Sequence, residues 1–280
     1  MVDKLLRDLT PYFDRTLTEA MTDIIEGSIY DYPKYYDLLF GSDWKAEFDF
    51  LQACIEKHAA RKVNRLFEPA CGTGRLLIKL ARAGYEVGGN DLNEKAIKFC
   101  NDRLLRNGFA KSTVVGDMAD FRVKKKFDVA FNFINTFRHL STEAAAEAHL
   151  HCMAAALNKG GFYALGISLL PTDADREEEE SWTAQRGHLA ITSYMWSKGI
   201  DKKTRLEGLG ITLDIYTPTQ HKRIVDHMDY RTYTQRQFNS LLKKVSEFEI
   251  EEVYDFSFKI DDPVVIDATT EDVVYILRKV

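Results

Sequence analysis

The sequence predicts an α/β fold: a mostly parallel sheet with helices on both faces, carrying an antiparallel β insertion. Three observations predict it. From Leu66 to about Leu170, short apolar runs alternate with longer amphipathic stretches, the pattern of successive βαβ units around a parallel sheet. Between Trp182 and Tyr233 the period changes to alternation, as in Leu209-Gly210-Ile211-Thr212-Leu213-Asp214-Ile215-Tyr216, which suits antiparallel strands with one exposed face. After Thr234 a helical stretch and two further strand patterns follow, so the insertion interrupts the sheet.

Each element has its own signal. Strands are predicted over 65–68, 86–91, 112–115, 127–131 and 162–168. Between them lie helical stretches at 76–83, 94–107 and 142–157, the last opened by Ser141 as N-cap. Gly84, Gly108 and Gly160-Gly161 follow these helices, where a left-handed stop is expected. Ahead of the first strand, 44–60 places Phe48, Leu51, Ala53, Cys54 and Ile55 at helical spacing. The stretch 28–43 before it is crowded with Tyr30, Tyr32, Tyr35, Tyr36 and Phe40. At the other end Thr234-x-x-Gln237 reads as a capping box opening a helix to about Val245, with strands at 248–256 and 272–279. The acidic run 177–180 is expected to be a solvated loop entering the insertion.

Composition bounds the function. A chain of 280 residues, 45% hydrophobic, can bury a substantial core. A formal charge of -5 and a pI near 5.9 leave no basic footprint, which demotes nucleic acid as a partner. Cys54, Cys71, Cys100 and Cys152 form no CxxC pair, so they read as free thiols in a reducing compartment and not as a zinc site or disulfide framework. No run approaches the roughly 20 apolar residues of a membrane span. The N-terminus scatters Asp3, Lys4, Arg7, Asp8 and Asp14 where a signal peptide needs an apolar block. A cytoplasmic protein without membrane attachment is expected.

The densest chemical signal is Leu66-Phe67-Glu68-Pro69-Ala70-Cys71-Gly72-Thr73-Gly74-Arg75, a strand breaking into a small-residue loop and then a helix. A P-loop would need GxxxxGK[ST], which is absent. A dinucleotide site needs a third glycine where this chain has Leu77. Glu68, just before the loop, would repel a pyrophosphate but can orient a cation or a water network. Asp91 ends the second strand about 20 residues on, where a carboxylate can accept both hydroxyls of a ribose; its other reading is a cap of the following helix. Together these favour a nucleoside ligand without a pyrophosphate.

Four stretches in order, Glu68 to Arg75, Asn90-Asp91, Gly116-Asp117-Met118, and 127–136 from Phe127 to Thr136, resemble the successive motifs of the class I S-adenosylmethionine-dependent methyltransferases. The resemblance spans about 30–170. It implies a Rossmann-like, seven-stranded sheet with its last strand antiparallel, and S-adenosylmethionine as cofactor. It also implies that Glu68 and the loop residues Ala70, Cys71, Gly72, Gly74 and Arg75 hold the methionine part, Asp91 with Leu92 the ribose, and Asp117 with Met118 the adenine. Asn132 would contribute its backbone at the methionine end. Tyr35-Tyr36-Asp37-Leu38-Leu39 is similar to the segment that begins small-molecule methyltransferases of the sugar-amine and glycine N-methyltransferase type. That likeness implies a lid tyrosine near the donor methyl at Tyr36, with Tyr30 and Tyr32 as alternates. An aromatic face suits a sulfonium cation; the other reading is an aromatic staple of the arm.

The expected function is methyl transfer to nitrogen or oxygen of a small molecule, an in-line displacement that mainly needs alignment and exclusion of water. If the acceptor must lose a proton, His139 is the candidate base, because it follows the fourth strand on the ligand side of a parallel sheet; its other reading is hydrogen bonding within that loop. His149 and His151 stand two apart on a helix and cannot share a metal, so they read as surface or packing histidines, and no metal site is expected. The expected domains are 1–60, an N-terminal helical arm and lid; 61–180 with 234–280, the methyltransferase core; and 181–233, the insertion, available for substrate or homodimer contact. Trp182, Tyr194, Trp196, Tyr216, Tyr230 and Tyr233 either wall a pocket there or form the buried face of a small sheet. An NAD-linked oxidoreductase and a non-catalytic cofactor-binding sensor are the alternatives.

Overall fold

A computed structural model describes residues 22–42, 44–171 and 179–280. The first 21 residues of the expected arm, and Glu177 and Glu178 of the acidic run, lie outside the described residues. The chain opens with strand β1 (Thr22–Glu26), a 3-10 turn (Ile29–Asp31), and helices α1 (Pro33–Phe40) and α2 (Lys45–His58). Then come β2 (Arg65–Pro69), α3 (Leu77–Arg82), β3 (Glu86–Asp91), α4 (Glu94–Arg106), β4 (Thr113–Val115) and β5 (Phe127–Asn132). A second 3-10 turn (Thr136–His139), α5 (Glu143–Ala156) and β6 (Leu157–Ser168) follow. The insertion holds β7 (Glu179–Arg186), β8 (Leu189–Asp201), β9 (Leu206–Thr217) and β10 (Gln220–Arg231), and the chain closes with α6 (Gln235–Leu242), β11 (Phe248–Asp255) and β12 (Asp272–Lys279).

Seven strands form the main sheet in the order β11-β12-β6-β5-β2-β3-β4. The pairs among β2 to β6 are parallel, and β12 runs antiparallel to both β6 and β11. The order turns back between β2 and β5, and in such sheets ligands lie beyond the carboxyl ends of the strands at that reversal. Two apolar clusters cover its faces. One, around Leu51, Cys54, Leu77 and Phe131, packs α2, α3 and α4 against the sheet; the other, around Phe137, Leu150, Tyr163 and Phe238, packs α5 and α6. Full burial of a residue such as Leu77 contributes about 2 kcal/mol. Its side chain belongs to this core, so the position where a dinucleotide fold keeps a glycine serves packing.

The helix boundaries follow their caps. Asn93 accepts from Ala96 N at 3.0 Å and starts α4, so the cap is not Asp91. Thr142, not Ser141, caps α5 by accepting from Ala145 N. At α6 the capping box of Thr234 and Gln237 is formed in both directions. β6 starts earlier than the apolar run suggests, at Leu157, with Gly160 at φ +78°.

Strands β7 to β10 make a second sheet in the order β1-β10-β9-β8-β7. Its edge is a correction to the helical arm: 22–26 is a strand, parallel to β10. The acidic run corrects likewise, since Glu179 and Glu180 begin β7. One face of this sheet buries Ile191, Leu213 and Ile224 against Ile29, Leu38 and Leu39 of the arm. Arm and insertion therefore share a core. The insertion is fixed to the main domain by a buried ion pair, Arg138 Nη2 to Glu207 Oε2 at 2.6 Å, and by Arg231 Nη1 donating to Ser141 O at 2.9 Å. Leaving either charge of such a pair alone in the interior would cost several kcal/mol.

Candidate active site

A cavity of about 460 Å³ opens where the sheet order turns back. One end is walled by Ala70, Gly72, Asp91, Leu92, Asn93 and Met118, and the other by Tyr30, Tyr36, Ile134, Thr136, His139 and Tyr230. Three chain segments meet here: the loops beyond the parallel strands, the arm, and β10 of the insertion.

The first end is built largely from backbone. Ala70, Gly72 and Gly74 take φ +48°, +51° and +67°, a region that L side chains enter at a cost. A Cβ on Gly72 would meet nothing within 4 Å, because the residue borders the open cavity. A Cβ on Gly74 would lie 2.3 Å from Cys100 Sγ, so Gly74 lets α4 approach the loop. Asp91 holds the loop to the next turn: Oδ2 accepts from Gly72 N and Oδ1 from Asn93 N, each at 2.8 Å. Burial pushes its carboxyl above the usual range, opposed by those two N–H groups. Each oxygen keeps a further lone pair for a ligand.

Behind this wall stand the other residues singled out in the sequence. Glu68, Cys71, Gly74, Arg75, Asp117 and Asn132 do not line the cavity. Cys71 is buried beside Cys100, Arg75 Nη2 pairs with Glu47 Oε2 at 2.7 Å, and Asn132 Nδ2 donates to Pro69 O at 2.8 Å. Asp117 is exposed and accepts from Ala119 N. Met118 is buried, and its carbonyl lies 2.9 Å from Nδ1 of His149. That histidine is a packing residue, with Nε2 3.0 Å from Tyr163 Oη, whereas His151 is exposed beside Glu247.

The second end is built from side chains far apart in sequence. After β5 the chain crosses β6 so closely that a Cβ on Gly166 would fall 1.6 Å from Phe133 O. Asn135, at φ +53°, is clamped there: its Nδ2 donates to Ser168 Oγ and its Oδ1 accepts from Ser168 N, both at 2.7 Å. This crossing delivers the 3-10 turn that carries His139. The imidazole Nε2 lies 3.0 Å from Tyr30 Oη, and the ring packs edge-on to Tyr230 at 4.7 Å between centroids. Burial, and then the neighbouring Arg138, bring its pKa down to about 4, so it is neutral at pH 7. Tyr36 packs on Tyr30 at 5.4 Å, and burial pushes both phenols up. Tyr32 packs on Tyr35 outside the wall. Of the insertion's aromatics only Tyr230 reaches the cavity; Tyr233 sits in the core with Phe238, Trp182 packs on Phe40, and Tyr194 stacks on Trp196.

Three acids of the arm grip the first end. Asp31 accepts from Asn93 Nδ2 at 2.7 Å and from Lys95 Nζ at 3.0 Å. Asp37 accepts from Thr73 Oγ1 at 2.9 Å and also pairs with Arg103. Glu47 holds Arg75, as described. Thr73, Asn93 and Tyr230 join the wall without having been assigned a cofactor or catalytic role from the sequence. Asn93 and Thr73 lie one or two residues from assigned positions, whereas nothing in the local sequence selects Tyr230 from the other insertion aromatics.

The residues fit a methionine-bearing nucleoside. Glu68 Oε2, Asn90 Oδ1 and Asn132 Oδ1 are buried acceptors without a hydrogen-bond partner, in the strands that carry the loops, and buried acceptors seldom stay unpaired. Gly72 supplies an open backbone approach, and Leu77 closes the pyrophosphate alternative.

Comparison with known proteins agrees. Residues 67–161 match a family described as Methyltransferase domain. A dTDP-3-amino-3,6-dideoxy-alpha-D-glucopyranose N,N-dimethyltransferase of Streptomyces fradiae is 25% identical over 179 residues, 61% of this chain and 67% of that protein. A dTDP-3-amino-3,4,6-trideoxy-alpha-D-glucopyranose N,N-dimethyltransferase of Streptomyces venezuelae is 27% identical over 134 residues, 47% of this chain and 54% of that protein. The crystal structure of an S-adenosylmethionine-dependent methyltransferase from Clostridium acetobutylicum superposes with a TM-score of 0.73 at 17% identity, covering 89% of this chain and 97% of that one. The sheet order, the glycine loop with Asp91 and the matched domain define an α/β enzyme that uses a nucleoside methyl donor. Residues 67–161 thus form a methyltransferase domain, and the chain is similar to S-adenosylmethionine-dependent methyltransferases over most of its length. Nothing in the fold or the site favours an NAD-linked oxidoreductase or a non-catalytic sensor.

Proposed function

We propose that this enzyme methylates nitrogen of a small-molecule amine, with the methyl donor at the loop end of the cavity and the acceptor at the Tyr30–His139 end. The observation that carries this reading is the His139 imidazole, which lines the same cavity as Asp91 and which burial and Arg138 hold neutral, its pKa brought down to about 4. So weak a base is poorly matched to a phenol or alcohol, which must lose a proton of pKa about 10 or higher before it attacks. A neutral amine attacks through its lone pair and loses its proton only afterwards. The two dimethyltransferase relatives, named for amino sugars, support nitrogen.

When bound, S-adenosylmethionine supplies an electrophilic methyl carbon: the amine forms the N–C bond, the C–S bond breaks with its electron pair on sulfur, and the ammonium product sheds one proton. The chain's own residues bind and align. Gly72 and Ala70 offer backbone to the methionine end, with Glu68, Cys71, Gly74, Arg75 and Asn132 supporting that loop from behind. Asp91, beside Leu92 and Asn93, accepts from the ribose hydroxyls, and Met118 with Asp117 borders the adenine. Tyr36 presents a ring to the sulfonium. Tyr30 fixes the ring plane of His139, which stays neutral and helps wall the acceptor end, and the ammonium product releases its proton to solvent. The arm residues 22–60 act as a lid and 179–233 supplies the far wall, with no role for nucleic acid or membrane. Among the described residues no helix is long and apolar enough to cross a membrane, and no metal-ligand cluster occurs.

The test is methyl transfer by the purified protein to a panel of amines and phenols, read as product mass. N-methyl products are expected. Exclusive O-methylation would overturn the nitrogen reading and leave the cofactor assignment standing.

A further inference from the structure

Among the described residues the acceptor end of the cavity is aromatic and carries no cation. Tyr30, Tyr36, Tyr230 and His139 form a cup with ring centroids 4.7 to 5.7 Å apart along the chain Tyr36–Tyr30–His139–Tyr230. Among the described residues no Lys or Arg lines the wall, whose one carboxylate is Asp91. The cations closest to it along the chain are each engaged elsewhere. Arg138, next to His139, gives its guanidinium to Glu207 and to Arg231 O; Arg75 pairs with Glu47, Arg103 with Asp37, and Lys95 with Asp31. Lys34, next to Pro33, is exposed to solvent. Asp226 adds negative potential from β10, where its Oδ2 accepts from Ile29 N at 2.9 Å at the start of the turn that carries Tyr30.

A diphosphate brought into such a site would lose its hydration with no guanidinium or ammonium in return, and buried charge is tolerated only when paired. Aromatic faces beside carboxylates attract cations instead. The same cavity of about 460 Å³ must admit the reacting ends of donor and acceptor together, which suits a compact amine. Building on the methylation of nitrogen argued above, we propose that the acceptor is an amine lacking phosphate, which enters the Tyr30–Tyr36–Tyr230 cup as its ammonium form, gives up that proton to solvent to attack as the neutral amine, and is again an ammonium once the N–C bond has formed. The chain then shares the amine chemistry of the dTDP-sugar dimethyltransferases it matches, and differs in the body that bears the amine.

Calorimetry on the full chain saturated with S-adenosylhomocysteine tests this with two probes, N,N-dimethylbenzylamine and dTDP. The amine is expected to bind at least tenfold tighter than dTDP, with about tenfold weakening in Tyr230→Leu and near-native binding restored by Tyr230→Phe, the span of a desolvated cation–π contact. Equal or tighter binding of dTDP overturns the proposal, as does a failure of both probes to bind. If Tyr230→Leu does not fold, the ratio of the two probes in the native protein still decides. Tight amine binding alongside purely O-methylated products would sink the nitrogen reading and leave the amine-selective cup in place. Absence of S-adenosylhomocysteine binding would remove the cofactor reading, and this proposal would fall with it.

Discussion

The two ends of the cavity are made in opposite ways. The donor end is mainly backbone, shaped by two glycines and Ala70 at positive φ and tied by Asp91 to residues within about twenty positions. The acceptor end is side chain on side chain: Tyr30 meets His139 across 109 positions and Met228 across 198. A backbone cradle tolerates changes in the side chains around it and recognises what every member of the class shares. A cup assembled from an arm and an insertion can be re-lined one residue at a time, which is why it is the end proposed to set the acceptor.

Breaking the crossing beneath the acceptor end should have the largest effect. Gly166→Ala places a Cβ 1.6 Å from Phe133 O, so the 133–139 segment must shift, at a cost of about 3 kcal/mol or more. Denaturant unfolding should show that loss. His139→Gln sharpens the comparison, because losing the ring that orders Tyr30 should raise the KM for the acceptor about tenfold while S-adenosylhomocysteine binding stays within about twofold. Native activity should keep no limb of its pH profile near 6.5 from this imidazole, whose acid limb lies near pH 4.

Each end also has a buried histidine with its pKa lowered to about 4, His139 at the acceptor end and His149 beneath Met118. Unfolded, such groups take up a proton near pH 6.5; folded, they do so only near 4. The unfolded state therefore binds more protons in between, and stability falls as pH drops through that window. Each is expected to cost about 2 kcal/mol between pH 7 and 5. His149→Gln should remove about half of that combined slope in urea titrations at several pH values. The smallest effect is expected where the arm touches the loop: Thr73→Val loses one hydrogen bond to Asp37, about 1 kcal/mol, read as a roughly fivefold higher KM for the donor.

Legibility in the sequence follows the same division. The parallel strands, the glycine loop and Asp91 lie on contiguous segments with their own periodicity, and the structure returns the strands from β2 to β5 within a residue, whereas β6 begins five residues earlier than its apolar run. The role of Gly74 was not legible, because it depends on Cys100 approaching from α4. Nor was 22–26 readable as a strand: that stretch is ordered by pairing with β10 some 200 residues later. Tyr230 alternates like the other aromatics of the insertion, and only the docking of that sheet through Arg138 and Glu207 selects it. His139 was singled out because it follows a parallel strand, and it lines the cavity, yet its neutral state depends on burial that no local pattern records.

The central claim is that Asp91 and the Ala70–Gly74 loop seat the methyl donor. Calorimetric titration of S-adenosylhomocysteine into native protein and Asp91→Ala tests it most directly. Micromolar binding by the native chain is expected, weakened about 100-fold or more in the variant, which loses a charged acceptor and releases both Gly72 N and Asn93 N. Equal affinity in the two proteins, or tighter binding of NAD than of S-adenosylhomocysteine, would contradict it.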